Sequence, residues 1–171
     1  MKPSCSRAAL LSVSIAMSGA AFAEAPGDPK AASSKDGEYY DSQGSPTYHI
    51  GADGKVDFYT YIGYVRYAAN CLQCHGPDGL GSSYAPSLVD SLKGINYPEF
   101  LQIVATGKRD VSASQTLVMP AFGENKNVVC YIDAIYVYLR ARSTGALGRE
   151  RPAQHEAKPS GYTEAEDKCM G

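Results

Sequence analysis

The 171-residue sequence lacks a long apolar run, an excess of basic charge and a second cluster of metal-binding side chains. Its longest apolar stretch, Ala8 to Met17, falls well short of the roughly 20 residues a membrane-spanning helix needs, so no membrane anchor is expected. Lysine and arginine number 16 against 18 acids, which excludes the basic stripe of a nucleic-acid-binding protein. Three histidines and five cysteines supply only one close Cys and His grouping, so a zinc knuckle, which needs a second ligand pair, is excluded as well.

What the N-terminus does have is the layout of an export signal: Lys2 and Arg7, the apolar run, then Ala21-Phe22-Ala23 around a cleavage point. Residues 1–23 are therefore expected to be a signal peptide cut near Ala23, and the mature protein to be periplasmic. Cleavage removes Lys2 and Arg7 and no acid, which shifts the net charge from -2 to -4. Cys5 leaves with the signal, so Cys71, Cys74, Cys130 and Cys169 remain in a space that permits disulfides.

The chemistry concentrates in Cys71-Leu72-Gln73-Cys74-His75. Two thiols three positions apart and an imidazole directly after them match the attachment site of a covalent haem c. The thiols add to the vinyl groups of one porphyrin edge, and the adjacent imidazole reaches the iron from one face. A thioredoxin-like redox pair would need a strand before the motif and an α/β pattern after it, and the sequence shows neither. Pro86 lies downstream, and a backbone carbonyl beside it is a natural acceptor for the second nitrogen of His75.

The remaining chain is organised around that motif. Residues 24–56 read as a flexible leader followed by a short hairpin, with Tyr48-His49-Ile50 and Lys55-Val56-Asp57-Phe58 flanking an Asp53-Gly54 turn. Asp57 or Thr60 can cap a helix leading into the motif, with Gly63, Tyr67 and Cys71 on one face. Asn96-Tyr97-Pro98-Glu99 begins a second helix that Gly107 can stop. Residues 108–118 read as a polar loop leading to Met119-Pro120. Asn127 then begins a last helix with Val128, Ile132, Ile135 and Leu139 as its stripe, and Arg140 and Arg142 suit its negative end. Beyond Gly145 the tail is polar to Lys168.

This order of helix, haem motif, proline, middle helix, Met-Pro loop and terminal helix resembles a class I cytochrome c over residues 57–142. The run from Gly81 to Leu88, the Met119 to Phe122 run, and Cys130 and Cys169 outside the haem motif resemble more closely the four-cysteine c-type cytochromes of methanol metabolism. The resemblance implies an all-α fold of three to five helices around one covalent haem, spanning residues 57–145, with an N-terminal extension and a C-terminal extension over 146–171. It pairs Gly63 with Tyr138 where the first and last helices cross. It also implies a one-electron carrier rather than an enzyme, with a pyrroloquinoline quinone (PQQ)-dependent methanol or alcohol dehydrogenase as donor and another cytochrome or an oxidase as acceptor. The competing readings are a general carrier serving a terminal oxidase or a nitrogen-oxide reductase, and a haem peroxidase-like enzyme.

Two assignments complete the expected site. Met119, stiffened by Pro120, is the favoured sixth iron ligand and His49 its substitute, while Met170 and His155 lie in polar tail sequence. Cys130 and Cys169 are expected to pair within the chain, which would tie down a tail of little apolar content; a bond from Cys169 to another chain is the alternative. Asp110, Glu124 and Asp133 could coordinate a cation, although no ligand spacing demands one.

Overall fold

Asp57 opens the first long helix, its carboxylate accepting hydrogen bonds from the Thr60 backbone N–H (2.7 Å) and hydroxyl (2.5 Å). In the computed structural model, which describes residues 26–111 and 116–171, this helix, α1, runs Phe58–Asn70. It flows into α2 (Leu72–His75), and Gly76 with φ +72° ends the turn. A 3-10 turn at Pro77–Gly79 follows, then α3 (Leu88–Ser91), capped by Ser87. Asn96 caps α4 (Tyr97–Thr106), accepting from the Glu99 N–H at 2.9 Å, and Gly107 ends it.

The last core helix is broken, where the sequence predicts one piece. Asn125, not Asn127, caps α5 (Lys126–Val129), and the chain restarts as α6 (Ile132–Ser143). The break falls at Cys130, which the fold ties elsewhere, and at Tyr131, whose ring lies under the Arg66 guanidinium at 3.4 Å. Helix α6 is buried from Ala134 to Arg142 and packs on α1 more extensively than any other helix pair. Gly63 makes that approach possible. A Cβ there would sit 1.9 Å from the Ala134 carbonyl oxygen and 2.9 Å from Tyr138 Cβ.

Outside this core the chain is more ordered than its composition suggests. In place of a flexible leader, β1 (Ser33–Lys35), β2 (Glu38–Tyr40) and β3 (Pro46–Thr47) form an antiparallel sheet in that order. Asp36 and Gly37, both at positive φ, make the β1–β2 turn. The hairpin expected around Asp53-Gly54 reduces to a single bridge between Ile50 and Val56. Arg140 holds the sheet to α6 from within. Buried to 3% exposure, it pairs with Asp41 (2.8 Å) and donates to the Pro46 and Gly27 carbonyls (2.9 Å each). Arg142 likewise turns inward, to the carbonyls of Asp78 (3.3 Å) and Leu147 (2.7 Å), so neither arginine is the surface charge its helix position suggested.

The stretch expected as a polar loop is an exposed hairpin, β4 (Lys108–Val111) with β5 (Thr116–Met119), and it pairs Lys108 with Met119. The C-terminal extension returns across α1. Val56 bridges His155, His155 stacks on Tyr61 at 3.8 Å, and α7 (Tyr162–Met170) closes a second small core of Phe58, Tyr131 and Tyr162. Among the described residues the helices make the core and both sheets lie at its margin, so the all-α expectation describes the core and not the whole chain. The expected signal peptide lies outside the described residues.

Candidate haem site

Helix α1 delivers the motif. Tyr67 and Cys71 stand on the face that Gly63 brings against α6, and Tyr67 donates from its hydroxyl to the Gly76 carbonyl at 2.5 Å, clamping the turn that follows His75. Cys71 and the one-turn helix α2 that it opens then present two thiols and one imidazole within five residues. Cys71 and Cys74 are not bonded to each other; Cys71 is half-buried and Cys74 exposed. Burial, and secondarily Cys74, push the Cys71 thiol up to about 11. That is the opposite of the lowered thiolate a dithiol redox pair needs.

His75 is buried, and its Nδ1 lies 3.0 Å from the Pro86 carbonyl oxygen. A carbonyl only accepts, so Nδ1 carries the proton and donates. Nε2 is left with its lone pair, the form in which an imidazole binds a metal. The Pro86 loop is itself pinned by Gly81, whose N–H donates to the His75 carbonyl at 2.8 Å. A Cβ on Gly81, which has φ +86°, would meet the Ser87 nitrogen at 2.7 Å.

Beside this motif opens an apolar cleft. Cys71 and His75 stand in its wall, with Leu88 and Leu92 from the α3 region, Phe100 and Val104 from α4, and Ile135 and Leu139 from α6. Met119 stands in the same wall. Its position is set by the end of α4: a Cβ on Gly107 would lie 2.6 Å from the Met119 carbonyl oxygen and 2.9 Å from the Ala121 nitrogen. The Phe122 N–H donates to the Val104 carbonyl (3.0 Å), which fastens the other side of Pro120.

The other candidates lie elsewhere. His49 stacks on Tyr39 (centroids 4.5 Å) with Nδ1 3.5 Å from Glu156, and His155 stacks on Tyr61. Neither lines the cleft. Met170 packs with the Phe58, Tyr131 and Tyr162 cluster. Cys130 is bonded to Cys169 and packs with the Phe58, Tyr131 and Tyr162 cluster, and Lys126 donates to the Met170 carbonyl at 2.7 Å. The Asp133 carboxylate accepts from the Tyr97 hydroxyl, and among the described residues no three carboxylates, imidazoles or thiols gather into a metal-binding group.

The donor set suits a covalent haem: two free thiols three positions apart, with Cys71 in the cleft wall and Cys74 exposed beside it in sequence, a neutral imidazole with one nitrogen available, a thioether in the same cleft, and otherwise apolar walls. Sequence reasoning missed Tyr67's hold on Gly76. A hydroxyl at the position four before Cys71 is its only trace in the sequence.

Comparison with known proteins bears on the same residues. The family described as cytochrome c oxidase, cbb3-type, subunit III, matches residues 62–139. Cytochrome c-553I of Paracoccus denitrificans is 52% identical over 136 residues, covering 80% of this chain and 60% of that protein, so the chain spans well under the full length of that relative. Cytochrome c-555 of Methylococcus capsulatus is 36% identical over 105 residues, covering 61% of this chain and 76% of that protein. Among solved structures, c-type cytochrome XoxG from Methylobacterium extorquens AM1 superposes with a TM-score of 0.75 at 55% identity, over 81% of this chain and 85% of that one.

Proposed function

Because the chain belongs to the class I c-type cytochromes, of the four-cysteine kind related to methanol metabolism, we propose that it is a periplasmic carrier that takes electrons from a PQQ-dependent methanol or alcohol dehydrogenase. It passes them to another cytochrome or an oxidase. Its cofactor is covalent haem c, which supplies a one-electron iron(III)/iron(II) couple.

In this reading Cys71 and Cys74 hold the porphyrin edge through thioethers. His75 Nε2 ligates the iron, and the Pro86 carbonyl, by taking the Nδ1 proton, fixes the tautomer and strengthens the ligand. The Met119 thioether would be the second side-chain ligand. The observation that carries the assignment is that His75 and Met119 line one apolar cleft, while His49 and His155 are committed to other contacts. With two side chains to hold the iron, small substrates would be kept from it, and transfer to and from protein partners would remain. A thioether favours the ferrous state and so would raise the potential, the direction an electron acceptor needs. The Cys130–Cys169 disulfide and the thioether attachment both suit an oxidising compartment, and no described helix is long and apolar enough to cross a membrane.

A quinol yields two electrons and this carrier takes one, so each dehydrogenase turnover needs two encounters and the contact must be short-lived. Stopped-flow mixing of the ferric cytochrome with the reduced dehydrogenase tests the donor. The reading predicts haem reduction at least about tenfold faster than for an unrelated class I cytochrome of similar potential. Equal rates would leave a general carrier and remove the dehydrogenase from the account.

A further inference from the structure

Tyr67 is 1% exposed and its ring packs on Tyr138 at 5.4 Å, a place that phenylalanine would fill equally well. Its hydroxyl is what phenylalanine would lack. A buried hydroxyl is costly unless it is bonded, and this one donates to the carbonyl of buried Gly76 (2.5 Å), the residue directly after His75. Tyr67 does not line the cleft, so any effect it has on the iron site passes through the backbone it holds.

That backbone is stacked on itself. A Cβ on Gly76 would strike the Gly81 carbonyl oxygen, and a Cβ on Gly81 would lie 3.1 Å from the Pro86 carbonyl carbon. The oxygen of that same Pro86 carbonyl lies 3.0 Å from His75 Nδ1. An unbroken line of contacts thus runs from the Tyr67 hydroxyl through Gly76, Gly81 and Pro86 to the proton on the iron ligand. Both glycines meet their neighbours without a side chain, so no rotamer change can absorb a shift along the line. The outer end of the turn is fastened separately. The Asp78 carbonyl accepts from Arg142 Nε (3.3 Å), and its carboxylate accepts from Arg149 Nε (3.0 Å) and the Glu150 N–H (3.2 Å). Removing the Tyr67 hydroxyl therefore releases the inner end of the turn and leaves the rest in place.

We propose that Tyr67 is a positioning residue for His75: by holding Gly76, its hydroxyl keeps the Pro86 carbonyl against the imidazole and so sets how strongly His75 donates to the iron. The proposal rests on the haem reading above and adds to it a residue that stands outside the cleft. A carbonyl held close to Nδ1 draws on its proton and makes Nε2 the stronger donor, which favours ferric iron. A carbonyl that drifts away favours ferrous iron and raises the potential. The role belongs to the hydroxyl and not to the ring.

Tyr67→Phe in the holoprotein tests this, with Tyr64→Phe as the control, because Tyr64 packs edge-on against the same Tyr138 ring (5.7 Å). At a fixed solution potential the ferrous-to-ferric ratio of Tyr67→Phe should rise at least about threefold, which at about 59 mV per tenfold is about 28 mV in midpoint potential. In the ferrous protein, NMR should find the His75 Nδ1 proton exchanging with solvent at least about tenfold faster than in wild type. Tyr64→Phe should change neither quantity. A Tyr67→Phe protein with the potential and proton exchange of wild type would overturn the proposal even if its Tm fell, because the hydroxyl would then serve the fold alone. So would an equal shift in Tyr64→Phe, or loss from Tyr67→Phe of a sulfur-to-iron band that wild type shows, which would place the change at Met119. If wild type itself lacks that band while the Tyr67→Phe shifts appear, the Met119 assignment fails and the role of Tyr67 stands. Neither measurement uses a donor, so the outcome is independent of the dehydrogenase assignment.

Discussion

Replacing Gly63 by alanine should separate α1 from α6 and cost the fold several kcal/mol, although helix propensity alone would favour alanine by about 1 kcal/mol. The added Cβ would lie 1.9 Å from the Ala134 carbonyl oxygen, 2.6 Å from its carbon and 2.9 Å from Tyr138 Cβ. Carbon and oxygen approach no closer than about 3.3 Å even in the tightest recurrent contacts, so the helices must part by more than about 1 Å. The obstacle is backbone on both sides, which cannot rotate away. Overpacking of this kind costs about 3 kcal/mol, the upper end of its usual range. For a chain of this size that corresponds to a fall in Tm of roughly 6–12 °C. Thermal unfolding of the ferric holoprotein, followed by far-ultraviolet circular dichroism and by haem absorbance, reads the shift. Gly148→Ala is the control, because nothing lies within 4 Å of a Cβ there, and it should stay within about 0.5 kcal/mol of wild type. A Gly63→Ala protein as stable as wild type would mean that the helices do not meet at this residue.

Three further outcomes follow from the same contacts. Cys130→Ser with Cys169→Ser opens a loop of sequence separation 39, and the chain-entropy relation puts the loss at up to about 4 kcal/mol in urea unfolding; thiol titration of the unfolded, oxidised wild-type holoprotein should find no free thiol, and two would sink the pairing. Arg140→Met leaves the buried Asp41 carboxylate without its counter-ion, held by the Gln43 and Ser45 N–H groups, and should destabilise by about 3–5 kcal/mol, while adding Asp41→Asn, which keeps an acceptor for those groups and removes the charge, should recover part of that; a double variant no better than the single one would contradict the ion-pair account. Burial raises the folded-state pKa of Asp57 above the ordinary 3.8, outweighing its hydrogen bonds from His49 and Thr60. Its contribution is therefore fully present below 3.8 and is lost as pH rises through the raised value. Asp57→Asn keeps a capping oxygen and cannot titrate, so the stability of wild type relative to this variant should fall as pH rises through that window; a flat or rising difference would refute the sign.

The parts of this protein that were legible in its sequence are those set by local chemistry. The Cys71 to His75 spacing, the Asn96 cap, the Gly107 stop and the early glycine at 63 each act within a turn or against one helix, and short-range pattern records them. What escaped was set by long-range contacts. The sheet over 33–47 carries too few large side chains to announce itself, and its order comes from Arg140, nearly a hundred residues away in sequence, reaching Asp41, Pro46 and Gly27. Arg140 and Arg142 looked like charges placed for the end of a helix, because sequence gives no sign that a second layer covers that end. The break between α5 and α6 falls within an apolar stripe that stays in phase, and only the partners of Cys130 and Tyr131 mark it. Met119 stood out because a haem motif asks for a second ligand, and the structure sets it in the cleft wall; the hairpin that presents it, with β4 exposed along its whole length, has no hydrophobic alternation to reveal it.

The central claim is that His75 and Met119 hold one haem iron between them, and the near-infrared sulfur-to-iron charge-transfer band of the ferric protein tests it most directly. The account predicts the band in wild type and its loss in Met119→Ala, with a lower midpoint potential and new binding of small ligands in the variant. A wild-type spectrum without the band, or a Met119→Ala spectrum that keeps it, would contradict the assignment.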